Sequence, residues 1–116
     1  MSTAFSAVLD GLTRVPGVRS ALLVAADDGL VIAESSMTDV EPAAVAALAA
    51  SLAARLARAV AITGYATPRS FHLEATGGGL MAAPAGEGLL LVAVTEPDAN
   101  VGLLRLALRD AAERVG

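Results

Sequence analysis

The sequence predicts an α+β fold, in which one mainly antiparallel five-stranded sheet carries helices on both faces, in the order α, β, β, α, β, β, β, α. Two observations predict it. Apolar residues recur at helical spacing in three segments, whereas aliphatic runs and alternating patterns mark five strands between them. Short turns separate most consecutive strands, and strands joined in this way pair as antiparallel neighbours. With 116 residues, 55% of them hydrophobic, the chain is expected to form a single domain over residues 1–116.

The N-terminal part of the chain is predicted to form a short helix and a β-hairpin. Ser2 or Thr3 is expected to cap the helix, and Pro16 follows its end. The apolar positions of this helix recur at helical spacing and are Phe5, Val8, Leu9 and Leu12. Residues 18–26 and 30–34 are largely aliphatic and flank an Asp-Asp-Gly turn. Glycine supplies the positive φ that tight hairpins need, so these two segments are expected to pair.

The middle helix, at residues 43–62, is the most informative segment. Pro42 suits its first turn. One stripe of larger apolar residues is expected to face the core, namely Val45, Leu48, Leu52, Leu56 and Val60. A second sector holds only alanines, namely Ala43, Ala46, Ala47, Ala50, Ala53, Ala54, Ala57 and Ala61. Because alanine adds little bulk, this sector permits close approach of another helix, and the simplest partner is a second copy.

The C-terminal half is predicted to contain a three-stranded meander and a final helix. Its strands are expected at residues 70–76, 80–85 and 89–95. Gly77, Gly78 and Gly79 are interpreted as a hairpin turn rather than a phosphate loop, because no Gly-Lys-Ser/Thr sequence follows them. Asp98 or Asn100 is expected to cap the final helix.

Composition argues against several classes of function. The net charge is −4, there is no lysine and the arginines are scattered, so nucleic-acid binding is disfavoured. His72 has no neighbouring nucleophile, and the acidic residues lack metal-ligand spacing; we therefore expect neither an enzyme nor a cofactor or metal site. Arg55 and Arg58 argue against a membrane span. Because the first residues lack a secretory signal, a cytoplasmic protein is expected.

Three polar residues, Ser51, Arg55 and Arg58, occupy the remaining sector of the middle helix. In one interpretation they are solvated side chains that keep an apolar helix soluble. In the other they anchor a partner that docks across two paired helices, since arginine is enriched at interface hot spots. The face formed by the terminal helices, with Arg105 and Arg109, is the alternative partner surface.

A family resemblance is carried by three segments. They read Val-Pro-Gly-Val at residues 15–18, Asp-Gly-Leu-Val at residues 28–31, and Pro-Asp-Ala-Asn-Val-Gly-Leu-Leu-Arg at residues 97–105. In this order and spacing they resemble the roadblock/dynein light chain family, in its bacterial branch. The resemblance covers nearly the whole chain and implies the same element order and five-stranded antiparallel sheet.

The resemblance also implies a homodimer. The third strands of two subunits would pair into one ten-stranded sheet, and the middle helices would lie side by side. The residues expected at this interface are Ala46, Ala50, Ala53 and Ala57 of the helix and Phe71, His72, Leu73 and Glu74 of the strand.

In function, the resemblance implies a non-catalytic regulatory or scaffold module that binds a small Ras-like GTPase and either stimulates GTP hydrolysis or only tethers the enzyme. Family members of actinobacterial appearance commonly accompany a sensor kinase and a GTPase, so a sensor kinase system is a further implied partner. Ser51, Arg55 and Arg58 are the expected partner-binding residues. The alternative is a small-ligand sensor or an enzyme that uses a groove of the sheet, against which the scarcity of titratable groups counts.

Overall fold

A computed structural model describes residues 3–36 and 40–115 and confirms the predicted element order. The elements are α1 (Thr3–Thr13), β1 (Val18–Ala25), β2 (Val31–Ser36), α2 (Pro42–Thr63), β3 (Phe71–Ala75), β4 (Gly78–Pro84), β5 (Leu89–Thr95) and α3 (Val101–Val115). Ser2, one of the two residues expected to cap the first helix, lies outside the described residues.

The five strands form one antiparallel sheet in the order β2-β1-β5-β4-β3. The central strands β1 and β5 are buried along most of their length. Continuous apolar sequence in these two strands follows from their position, because helices cover both of their faces. The edge strands β2 and β3 are only partly covered, which leaves β3 paired with β4 alone in the described part of the chain.

Two apolar layers lie on opposite sides of the sheet, as predicted. Successive residues of β1 point to opposite faces, so Leu22 and Leu23 belong to different layers. The layer around Leu23 is completed by α1 and α3, with fully buried Leu9 and Leu108 among its members. The layer around Leu22 is completed by α2, whose contribution is almost entirely alanine.

The predicted hairpin between β1 and β2 is confirmed, with Gly29 in its turn at φ 74°. The predicted turn at the three consecutive glycines is wrong in its extent. Gly78 and Gly79 belong to β4 and pair with Ala75 and Glu74, so the turn itself consists of the two residues before them. Both positions suit glycine, because the neighbouring backbone lies too close for a side chain there.

Helix ends agree with the expected signals. Pro42 is the first residue of α2, and Gly64, with φ 85°, ends this helix in the left-handed conformation. Of the two residues considered as cap of α3, Asn100 has that role. Its Oδ1 accepts a hydrogen bond from the backbone N–H of Leu103 at 3.0 Å.

Candidate functional site

The outer face of α2 brings the three predicted partner-binding residues together. Ser51, Arg55 and Arg58 are all exposed, and their spacing of four and three residues places them on one side of the helix. Within the described residues, neither arginine is ion-paired or hydrogen-bonded through its side chain. Their guanidinium N–H groups are therefore available to a partner.

Apolar side chains border these polar residues on the same helix. Leu48, one turn before Ser51, is 45% exposed, and Ile62, one turn after Arg58, is 88% exposed. The outer face of α2 thus combines three polar side chains with an apolar surround. This is the composition of many protein interfaces, in which arginine lies among desolvated apolar contacts.

The side of α2 that meets the sheet differs from the prediction. Ala46, Ala49 and Ala50 are the buried residues of the helix, whereas Leu48 is exposed and the other residues of the expected stripe are only half-buried. The helix is therefore rotated by about a quarter of a turn relative to the expected orientation. The predicted assignment of Ala46 and Ala50 to a dimer interface is wrong, because they are covered by the chain's own sheet.

Close packing against the hairpin turn explains this orientation. A Cβ atom on Gly29 would lie 3.3 Å from Cα of Ala47 and 3.6 Å from Cβ of Ala50, so the turn lies directly against the helix backbone. Leucine on this side of α2 would hold the helix away from the turn. Alanine permits the approach, and the longer side chains remain at the flank and on the outside.

The predicted interface strand β3 divides its side chains between the two faces of the sheet. Phe71 packs on the α2 side, and alternation places Leu73 on that side as well. His72 and Glu74 point to the opposite side, where they line a small crevice at the start of α3. Leu73 is 38% exposed, so the unpaired edge of β3 carries an accessible apolar side chain next to the α2 layer.

α2 also has the length and apolar composition of a membrane-spanning helix, with a mean hydropathy of 1.7 in its most apolar part, of which 17% is buried. In this fold the helix lies on the sheet. The expectation that it does not span a membrane, which rests on Arg55 and Arg58, stays a prediction.

Sequence reasoning missed a groove on the opposite face of the molecule. It has a volume of about 340 Å³ and lies between α3 and the loop that leads into β3. The sequence places Arg105 and Arg109 together on the last helix, and Arg69 joins them from the loop. No local pattern indicates this meeting, because it depends on how the chain between α2 and β3 is folded. Among the described residues, no group of three His, Asp or Glu side chains could hold a metal ion.

Comparison with known proteins gives a consistent family. Residues 5–95 match the model of the Roadblock/LC7 domain. Two uncharacterized proteins of the archaeon Methanocaldococcus jannaschii are each 32% identical over 108 residues, which cover 93% of this chain and 93% of each relative. Since these relatives are archaeal, they support membership of the family as a whole rather than of its bacterial branch.

Solved structures show the same fold. The gliding protein MglB from Thermus thermophilus matches with a TM-score of 0.87 and 28% identity, over 97% of this chain and 85% of that one. An MglB with a tetrameric arrangement matches with a TM-score of 0.86 and 30% identity, over 97% and 84%. A Roadblock/LC7 domain from Streptomyces avermitilis matches with a TM-score of 0.82 and 26% identity, over 93% and 91%. The chain therefore belongs to the Roadblock/LC7 family.

Proposed function

We propose that this protein is a non-catalytic, dimeric regulatory or scaffold module that binds a small Ras-like GTPase through the outer face of α2. The observation that carries the proposal is the exposed group of Ser51, Arg55 and Arg58 on a helix whose remaining outer surface is apolar. The arginines provide charge-assisted hydrogen bonds to acidic or backbone groups of a partner. The surrounding small and apolar residues provide a surface that excludes water from those contacts.

Dimerisation is supported by two exposed features on the same side of the sheet. α2 has an uncovered apolar flank, and β3 has an unpaired edge that carries Leu73. Such edges and patches usually mark interfaces. A second copy would pair β3 with β3 and lay α2 beside α2. With the two buried alanines removed, the proposed interface residues are Ala53, Ala57, Phe71, His72, Leu73 and Glu74.

Two-fold symmetry would double the area of the surface that is offered to the partner. Each subunit presents one set of Ser51, Arg55 and Arg58, and pairing of the two α2 helices brings the two sets to the same face of the dimer. One GTPase molecule can then contact both sets. The likeness to MglB proteins over 97% of this chain supports a partner of the GTPase class.

The double variant Arg55→Ala with Arg58→Ala tests the proposed surface. Its affinity for a GTP-loaded Ras-like GTPase, measured by calorimetry, should fall by about 1 to 3 kcal/mol, the range of interface hot spots. The control is Arg105→Ala with Arg109→Ala, which removes the same charge from the opposite face and should bind as the original protein does. An unchanged affinity of the first variant would exclude the outer face of α2 as the binding surface.

A hydrolysis assay with the same two proteins distinguishes stimulation of GTP hydrolysis from tethering of the GTPase. GTP hydrolysis by the GTPase is measured alone and with a saturating amount of this protein. A faster rate that the Arg55 and Arg58 double variant loses would identify a stimulator. Binding without any change in rate would identify a scaffold.

A further inference from the structure

The groove on the α3 face has an apolar floor and a cationic rim. Its floor includes the buried residues Ala83 and Leu108, whereas Arg69, Arg105 and Arg109 are exposed around it. The volume of about 340 Å³ lies within the range of ligand-binding clefts. The groove is on the face opposite α2, so it is separate from the surface proposed for the GTPase.

The three arginines of the groove are not neutralised within the described residues. The ion pair in the described part of the chain joins Arg114 to Asp110, outside the groove, at 2.5 Å. No side-chain hydrogen bond among the described residues involves the groove arginines. Three of the eight cationic residues of a chain with net charge −4 therefore line one cleft. The chain as a whole repels anions, so attraction to this site would come from the local cluster.

The spacing of charges along α3 matches an extended peptide. Arg105, Arg109 and Glu113 follow one another at four-residue intervals, and each interval advances about 6 Å along the helix. Side chains at alternate positions of an extended chain are about 6.6 Å apart. A peptide lying along α3 can therefore place one acidic side chain at each arginine and a cationic side chain at Glu113.

We propose that this groove binds an extended acidic segment of a second protein partner, with the pattern acidic, apolar, acidic, apolar, basic. The acidic residues pair with Arg105 and Arg109, and the apolar residues between them, which point to the opposite side of an extended chain, contact Pro68 and Pro84 on the other side of the groove. Arg69, on the other wall, adds a third donor. Glu113 and the apolar floor disfavour densely charged ligands such as nucleic acid. The phosphates of such a ligand would be repelled by the Glu113 carboxylate and would make no favourable contact with Leu108.

Fluorescence anisotropy with the full chain tests the proposal. The probe is a labelled peptide Glu-Leu-Glu-Leu-Lys, and the controls are Gln-Leu-Gln-Leu-Lys and the charge-reversed Lys-Leu-Lys-Leu-Glu. We expect saturable binding of the first peptide alone, weakened by salt. Arg105→Ala with Arg109→Ala should raise its Kd at least tenfold, whereas Arg55→Ala with Arg58→Ala should leave the Kd within twofold. Glu113→Gln should weaken the preference for the terminal lysine.

Several results would overturn the proposal. Equal losses of peptide affinity in the two double variants would show that the peptide responds only to the overall charge of the protein. Absence of saturable binding at millimolar peptide would exclude the site. Displacement of the peptide by an equal concentration of inorganic phosphate would indicate a simple anion site. Binding to phosphatidylserine vesicles but not to the peptide would indicate a lipid surface instead. Because the peptide assay contains no GTPase, its outcome is independent of the GTPase titration.

Discussion

Single small residues bring backbone segments into contact at several points in this fold. At Gly78, φ is 141°, and a Cβ atom would lie 2.5 Å from the carbonyl oxygen of Thr95. Both facts require glycine, since L-residues rarely adopt this conformation and no space exists for a side chain. Gly77, next to it in the turn, has open space around its Cα atom. Of these two adjacent glycines, Gly78 is therefore the one that the local backbone requires.

Gly78→Ala is expected to destabilise the protein strongly. Strain at φ 141° costs about 1 to 3 kcal/mol, and the contact with Thr95 forces the β4 and β5 backbones apart, so a loss of about 2 kcal/mol or more is expected. Urea denaturation followed by circular dichroism measures this loss. Gly77→Ala is the matched control and should change the free energy of unfolding by less than about 1 kcal/mol. Equal effects of the two substitutions would contradict the assignment of Gly78 to the strand.

At the scale of elements, α2 shows that the bulkiest stripe of a helix need not be its buried stripe. The hairpin turn at Gly29 lies against the helix backbone, so small side chains occupy the contact. Ala46, Ala49 and Ala50 are buried there, and each contributes little apolar area. The helix is consequently attached to its own sheet by a narrow surface. Its leucines remain available at the flank, which favours cover by another molecule.

Ala46→Leu tests the orientation of α2. Ala46 is fully buried, so the larger side chain should overpack the contact between helix and sheet and lower the free energy of unfolding by about 1 to 3 kcal/mol. The matched substitution Ala44→Leu, at an exposed position of the same helix, should stay within about 0.5 kcal/mol of the original. Thermal or urea unfolding measures both. The opposite ranking would restore the orientation expected from the sequence.

At the scale of the whole molecule, the sheet separates two surfaces of different character. The α2 face combines apolar residues with Arg55 and Arg58, and the α3 face has the cationic groove. The unpaired edge of β3 lies between them. A protein with two independent surfaces and an open edge can hold two different partners while pairing with a second copy. This arrangement agrees with the proposed scaffold or regulatory role.

Leu73→Lys should weaken the proposed dimer. A charged side chain on an edge strand opposes strand pairing, and at a position that is 38% exposed it should leave the fold intact. Light scattering at micromolar concentration is expected to give a dimer mass for the original protein and a dimer Kd at least tenfold higher for the variant. Leu106→Lys, at a residue of α3 that is 66% exposed, is the control and should remain dimeric. A monomeric original protein would remove the basis of the paired-helix surface.

The sequence by itself determined the element order, the hairpin between β1 and β2 and the grouping of Ser51, Arg55 and Arg58, because periodicity, turn chemistry and helical spacing act over short stretches of chain. Tertiary structure alone decided which side of α2 is buried and that Arg69 meets Arg105 and Arg109 across a groove. The burial of Ala46 depends on how closely Gly29 approaches, and the groove depends on the path of the loop before β3. Both are contacts between segments distant in the chain, which no local pattern encodes.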